Sequence, residues 1–138
     1  MKLDFTSLEQ STLALRRVLD ETTAQMATFS PTIQDAVKAG VIQHFEVAYE
    51  QCWKTMKRWL ENNINPEAVD GVSRRELFRI AAESQLISDV DMWMVFHKGR
   101  NETSHTYDNA TADDVYSIAS AFAPQAELFL KTICARND

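Results

Sequence analysis

Apolar residues at alternating three- and four-residue spacing, sustained from Val37 to Leu60, commit the middle of this chain to a long helix. Val37, Val41, Phe45, Ala48, Cys52, Met56, Trp59 and Leu60 recur along one face, with His44 on the same stripe. Ser30-Pro31 is a start signal with proline at the first helical position, so the helix should run from there to about Asn62. Its span of ~45 Å would make it the spine of the fold. Other stretches carry the same period and their own punctuation. Thr6 with Glu9 reads as a capping box ahead of Leu8, Leu15, Val18, Leu19, Thr22 and Met26, a helix over about 6–27. Residues 62–72, with Pro66 and Gly71, read as a loop. Ser73 with Glu76 opens a short helix carrying Leu77, Ile80 and Ala81, and Ser88 with Asp91 opens one carrying Val90, Trp93, Phe96 and His97. After a turn at Asp108-Asn109, Thr111 with Asp114 starts a last helix through Val115, Ile118, Phe122, Phe129 and Ile133, which Pro124 is expected to kink or break. Strand-like alternation is missing, and only three Gly and three Pro interrupt the chain. The expectation is an all-α fold: an up-and-down antiparallel bundle of four main helices plus short ones, one domain over residues 1–138.

Several function classes fall away at this stage. No apolar run approaches the ~20 residues of a membrane span, and the segment from Met1 to Thr6 lacks the basic head and apolar stretch of an export signal. Cys52 and Cys134 are isolated, so they read as buried thiols in a reducing cytoplasm. A net charge of -6 argues against a broad electrostatic grip on nucleic acid. That charge is uneven, however. Lys54, Lys57, Arg58, Arg74, Arg75, Arg79, Lys98 and Arg100 form either ordinary salt-paired surface or a local cationic rim around a phosphate site.

The segment Arg100-Asn101-Glu102-Thr103-Ser104-His105-Thr106-Tyr107 concentrates the chemistry. Arginine binds phosphate bidentately and keeps its charge, histidine moves a proton near neutral pH, and tyrosine supplies a hydroxyl. Together they point to phosphodiester chemistry. An unbroken helix would turn His105 about 140° away from Arg100 and align Arg100 with Ser104, and Asn101 with His105. Either the helix ends near Asn101 to Thr103, aided by a break at Gly99, or Arg100 and His105 converge across a two-fold axis. In an extended segment His105 and Tyr107 would project to one side. The bland alternative is a helix C-terminus whose Lys98, Arg100 and His105 complement the dipole, with Tyr107 packed on the bundle.

Other candidates have quieter readings. His44 reads as a hydrogen-bonded core residue. His97, one turn before Arg100, reads as structural, although placed to assist there. Trp53, Trp59 and Trp93 read as core or interface residues. Metal-ligand spacings and phosphate-cradling glycine loops are missing from the sequence, so neither metal nor cofactor is expected.

The Arg-x4-His-x-Tyr pattern of Arg100, His105 and Tyr107 resembles the signature of the HEPN superfamily (higher eukaryotes and prokaryotes nucleotide-binding), in its branch of nucleotidyltransferase substrate-binding proteins. The stretch from Val41 to Glu50 followed by Trp53-Lys54 and Lys57 is similar to that branch's long second helix, and Ser73 to Leu77 and Asp91-Met92-Trp93 match in order. Gly99 departs from the pattern by standing where a helix former is expected. The resemblance implies a dimeric bundle with two Arg/His segments near the two-fold axis, and a cognate minimal nucleotidyltransferase as partner in a toxin–antitoxin pair. It implies a metal-independent endoribonuclease in which Arg100 binds the scissile phosphate of RNA and His105 moves the proton. Asn101 and Ser104 would support the substrate, and adenylylation of Tyr107 by the partner would silence the toxin. The alternative it implies is a non-catalytic subunit that binds substrate or nucleotide for the nucleotidyltransferase.

Overall fold

Helix α1 (Thr6–Thr22) leads through a 3-10 turn (Thr23–Thr28) into α2 (Pro31–Asn63), and a second 3-10 turn (Pro66–Val69) precedes α3 (Arg74–Glu83). Then come α4 (Val90–Asn101), a 3-10 turn (Thr103–His105) and α5 (Asn109–Ala135). This computed structural model describes residues 2–137, and no strand occurs among them.

Two of the five helix starts follow the capping logic of the sequence. Ser30 Oγ accepts from Ile33 N at 3.3 Å, and Ser73 Oγ accepts from Glu76 N at 3.1 Å. Three ends differ from expectation. At α1, Thr6 does not cap: its N–H and its hydroxyl both donate to Asp4 Oδ1, at 2.9 and 2.6 Å. At α4 the cap is Asp89, which accepts from Met92 N at 3.0 Å, because a carboxylate one residue nearer the helix outcompetes the Ser88 hydroxyl. At α5 Asp108 takes both the N–H and the hydroxyl of Thr111, at 3.1 and 2.9 Å, so the helix begins earlier than Thr111. α1 is also shorter than expected. Thr22 turns its hydroxyl back to the Val18 carbonyl, and the chain tightens into the 3-10 turn that Gln34 then ties down through the Met26 and Phe29 carbonyls. Pro124 neither breaks nor splits α5, which is continuous from Asn109 to Ala135. The proline is exposed, so its ring lies on the solvent side and the helix loses a single backbone bond there.

Cross-helix pairs give the topology. Asp4 meets Arg58 while Met26 meets Gln34, so α1 and α2 are antiparallel. Lys38 meets Asp113 and Trp59 meets Arg136, so α2 and α5 run the same way. Gly99 lies against Ile118 while Trp93 reaches Phe129, so α4 opposes α5. The long helices α1, α2, α4 and α5 therefore alternate up and down, with short α3 packed on α2 and α4. Leu3 and Asn137 close the bundle with two backbone–amide bonds of 2.9 Å.

The core is aromatic at its centre. Trp93 packs on Phe78, Phe96, Phe122 and Phe129, with ring centroids 5.3–5.9 Å apart and mostly edge-to-face. Gly99 is buried and lies inside α4, not at its break: a Cβ there would stand 2.8 Å from Ile118 Cγ2. Glycine at this point is what lets α4 and α5 approach beneath the chemically interesting segment. Two further expectations are corrected. His44 is exposed, because Phe45 and Val41 take the inward positions of that turn of α2. Cys52 is buried, but Cys134 is exposed, one residue past the inward-facing Ile133.

Candidate functional site

The C-terminal turn of α4 presents His97 and Arg100 to the middle of α2, with exposed Asn101 beside them. Helical period explains the set: His97 and Asn101 are one turn apart on one strip, with Arg100 beside them. α4 then stops. Glu102 N bonds both Lys98 O and Gly99 O at 3.2 Å, and the Thr103 hydroxyl satisfies the Arg100 carbonyl at 2.9 Å. The helix ends at Asn101, within the range the spacing allowed, but the turn beyond it does not bring His105 into an interaction with Arg100.

Arg100 is partly buried and held from α2. Its Nε donates to Glu50 Oε1 at 3.0 Å, and a second nitrogen lies 3.8 Å from Glu46 Oε1. Glu50 is itself shared: its other oxygen accepts from Trp53 Nε1 at 2.9 Å and faces Lys54 at 3.9 Å. Arg74, at the first turn of α3, places its guanidinium carbon 3.5 Å from the Trp53 ring centroid and donates to the buried Tyr49 hydroxyl at 3.4 Å. Tyr49 in turn meets His97 Nδ1 at 2.8 Å, and His97 Nε2 meets the Asn101 side-chain amide at 3.4 Å. Contacts thus run unbroken from Arg100 through Glu50, Trp53, Arg74, Tyr49 and His97 to Asn101.

Electrostatics follow from that packing. Burial lowers the His97 imidazole below its ordinary 6.5, Arg74 and Arg100 push the same way, and Glu50 opposes them. Burial raises the Tyr49 phenol well above its usual value, so it stays protonated. Half of the wider cationic rim is spent on the chain's own carboxylates, while Lys57, Arg58, Arg74 and Lys98 form no ion pair among the described residues. Lys54, Arg75, Arg79 and Arg100 all carry acidic partners, the ordinary salt-paired surface that the sequence left open as one reading.

His105 and Tyr107 stand apart from this network. The segment does not meet the condition of an extended backbone, since Thr103–His105 is a 3-10 turn stapled by the Thr106 hydroxyl to the Thr103 carbonyl at 3.2 Å. Even so the His105 and Tyr107 rings approach edge-on, 6.4 Å between centroids. The His105 imidazole has no hydrogen-bond partner among the described residues, nor does it touch Arg100. Tyr107 is 86% exposed, so it does not pack on the bundle. Ser104 is exposed on the same turn. The structure therefore joins Arg100 to Asn101 through neighbouring helices, and leaves Ser104, His105 and Tyr107 on an open turn beside them.

Sequence reading missed Glu46, Glu50 and Tyr49 as parts of this cluster, and placed Arg74 on a rim with Arg100 without naming Tyr49 or Trp53 as its partners. One signal was available, the repetition of Glu46 and Glu50 at one-turn spacing on α2, but nothing local named Arg100 as their partner. Of the tryptophans, Trp59 and Trp93 are core as expected, while Trp53 is a half-buried stacking surface for Arg74.

A family model described as nucleotidyltransferase substrate binding protein like matches residues 3–134. A relative in Haemophilus influenzae, named "Probable ribonuclease HepT", is 36% identical over 106 residues, which is 76% of this chain and 73% of that protein. Among solved structures, one from H. influenzae, described as revealing the fold of a substrate binding domain of a nucleotidyltransferase, superposes with a TM-score of 0.86 at 29% identity. That alignment covers 94% of this chain and 98% of the other. A Thermus thermophilus protein shares the fold alone, with a TM-score of 0.70 at 23% identity over 90% of this chain and 96% of its own. With the bundle, the Arg-x4-His-x-Tyr segment and a family match over nearly its whole length, the chain belongs to the nucleotidyltransferase substrate-binding-protein-like family, with its HEPN-like fold.

Proposed function

We propose that this chain is a metal-independent endoribonuclease, the toxin half of a toxin–antitoxin pair whose other half is a minimal nucleotidyltransferase. The observation that carries the reading is the open turn after α4. It holds an imidazole with no competing hydrogen bond and a tyrosine 86% exposed, immediately beyond a helix end that carries Arg100 and Asn101. The relative named as a ribonuclease supports the same class of activity.

In this reading Arg100 binds the scissile phosphate and stabilises the charge that builds on it during attack. His105 takes the proton of the ribose 2′-OH as that oxygen bonds to phosphorus, and the P–O5′ bond breaks as the departing oxygen takes a proton from water. The products are a 2′,3′-cyclic phosphate and a 5′-OH, and general base catalysis contributes roughly 100- to 10,000-fold. Asn101 and Ser104 contact the substrate. Two protomers meeting about a two-fold axis bring a second Arg100/His105 pair to one groove. An adenylate placed on Tyr107 by the partner adds bulk and negative charge beside that groove, which excludes RNA phosphate.

A second reading, a non-catalytic binding subunit of a nucleotidyltransferase, draws on a separate observation. Arg100 already carries Glu50 at 3.0 Å with Glu46 nearby, so an anion must compete with the protein's own carboxylates. Expression without the partner separates the two. Under the nuclease reading the chain slows growth and purified protein cleaves RNA without metal, and Arg100→Ala or His105→Ala abolishes both effects. A harmless wild type that leaves RNA intact refutes it. Co-expression with the nucleotidyltransferase should add at least one adenylate mass to wild type and none to Tyr107→Phe, and an unshifted wild type would remove the silencing step.

A further inference from the structure

The contacts around His97 obey a donor and acceptor balance that determines which way Asn101 faces. Tyr49 is fully buried, has one proton to give, and receives an N–H from Arg74. Its proton therefore has one available acceptor, His97 Nδ1 at 2.8 Å. With Nδ1 accepting, the neutral ring carries its proton on Nε2, which points at the Asn101 amide 3.4 Å away. Two N–H groups cannot bond each other, so the amide oxygen must occupy the position facing His97. That half-turn leaves the heavy-atom frame unchanged. The opposite arrangement, with Nδ1 protonated, would strand the Tyr49 proton in the core beside an arginine, at the cost of a buried unsatisfied donor.

We infer that His97 is a positioning residue: held as its Nε2–H tautomer by Tyr49 and Arg74, it turns the Asn101 amide so that its NH2 faces the anion bound by Arg100. The inference rests on the reading of Arg100 and Asn101 as an anion-binding pair, and it extends that site to a residue on α2 and another on α3. Every charged or titratable group facing His97 belongs to the argument: Tyr49 and Glu50 from α2, Arg74 from α3, and Arg100 from its own helix. The two flanking cations and the buried phenol all favour a neutral ring, and a neutral ring has a single tautomer that satisfies the relay.

Two measurements on the full chain test it. The first is long-range proton–nitrogen NMR of 15N-histidine protein. His97 should show an unprotonated Nδ1 and a protonated Nε2, and should titrate below its ordinary 6.5; Tyr49→Phe should abolish this tautomer preference. A protonated Nδ1 overturns the relay whether or not the protein cleaves RNA. The second is binding of a short 2′-O-methyl RNA, which cannot be cleaved. His97→Asn keeps a polar atom near Tyr49 but loses Asn101, and should weaken binding about tenfold, the scale of one hydrogen bond. His97→Gln can still reach Asn101 and should stay within about threefold. If Arg100→Ala abolishes binding while His97→Asn binds like wild type, the positioning role is wrong and the anion site stands. If Arg100→Ala itself has no effect, the anion site fails and this inference falls with it.

Discussion

Gly99 is the position where packing and site geometry can be tested together. Replacing it by alanine in the interior of α4 should gain about 1 kcal/mol of helix propensity. Against this, the new Cβ would meet Ile118 Cγ2 at 2.8 Å, Cδ1 at 3.2 Å and Cβ at 3.4 Å, all closer than a relaxed carbon–carbon contact of about 3.5–4.0 Å. Easing those contacts means shifting Ile118 or spreading α4 from α5, an overpacking strain of about 1–3 kcal/mol. The net expectation is a loss of about 0–2 kcal/mol, or up to ~6 °C of melting temperature for a chain of this size. Ile118→Ala removes the two nearest carbons. In that background Gly99→Ala should become stabilising by about 1 kcal/mol, giving a coupling of about 1–3 kcal/mol between the two positions. Urea or thermal denaturation of the four proteins measures it directly. Equal destabilisation by Gly99→Ala in both backgrounds would refute the close-approach argument, as would full stabilisation of the wild type.

Three other expectations are independent of that contact. Gln85 sits at φ 63°, where its N–H and that of Leu86 close the α3 terminus on the Ala82 and Ala81 carbonyls, so Gln85→Gly should stabilise by about 1 kcal/mol in denaturant titration. Pro124→Ala restores a backbone donor inside α5 at an exposed position and should raise stability by about 1–3 kcal/mol, with unchanged far-ultraviolet circular dichroism. His97 has a folded-state value depressed below 6.5, so its contribution is complete above that pH and is lost as pH falls through the lowered value. Wild type should therefore lose more stability between neutral and acidic pH than His97→Gln, and parallel pH–stability curves for the two would contradict this assignment.

Local rules carried the fold because helix period and end-capping act over three or four residues. The stripes of α2 and α5, the Ser30 and Ser73 caps, and the up-and-down order could all be read along the chain. Errors at that level were short-ranged. Asp4 drew the Thr6 hydroxyl away from capping, Asp89 displaced the Ser88 hydroxyl as a cap, and Pro124 was tolerated because solvent, not a neighbouring helix, faces its ring. The Arg100 to Tyr107 motif was likewise visible, being contiguous. Its surroundings were not. Glu50 reaches Arg100 across 50 positions, Tyr49 reaches His97 across 48, and Arg74 reaches Tyr49 across 25. No periodicity encodes such meetings. They arise where α2, α3 and α4 are pressed together by the Trp93-centred core and by the close approach at Gly99, and burial there then sets the protonation of His97 and Tyr49. A chain written as a string specifies which helices form, but the partners of a charged side chain depend on which helix faces arrive beside it.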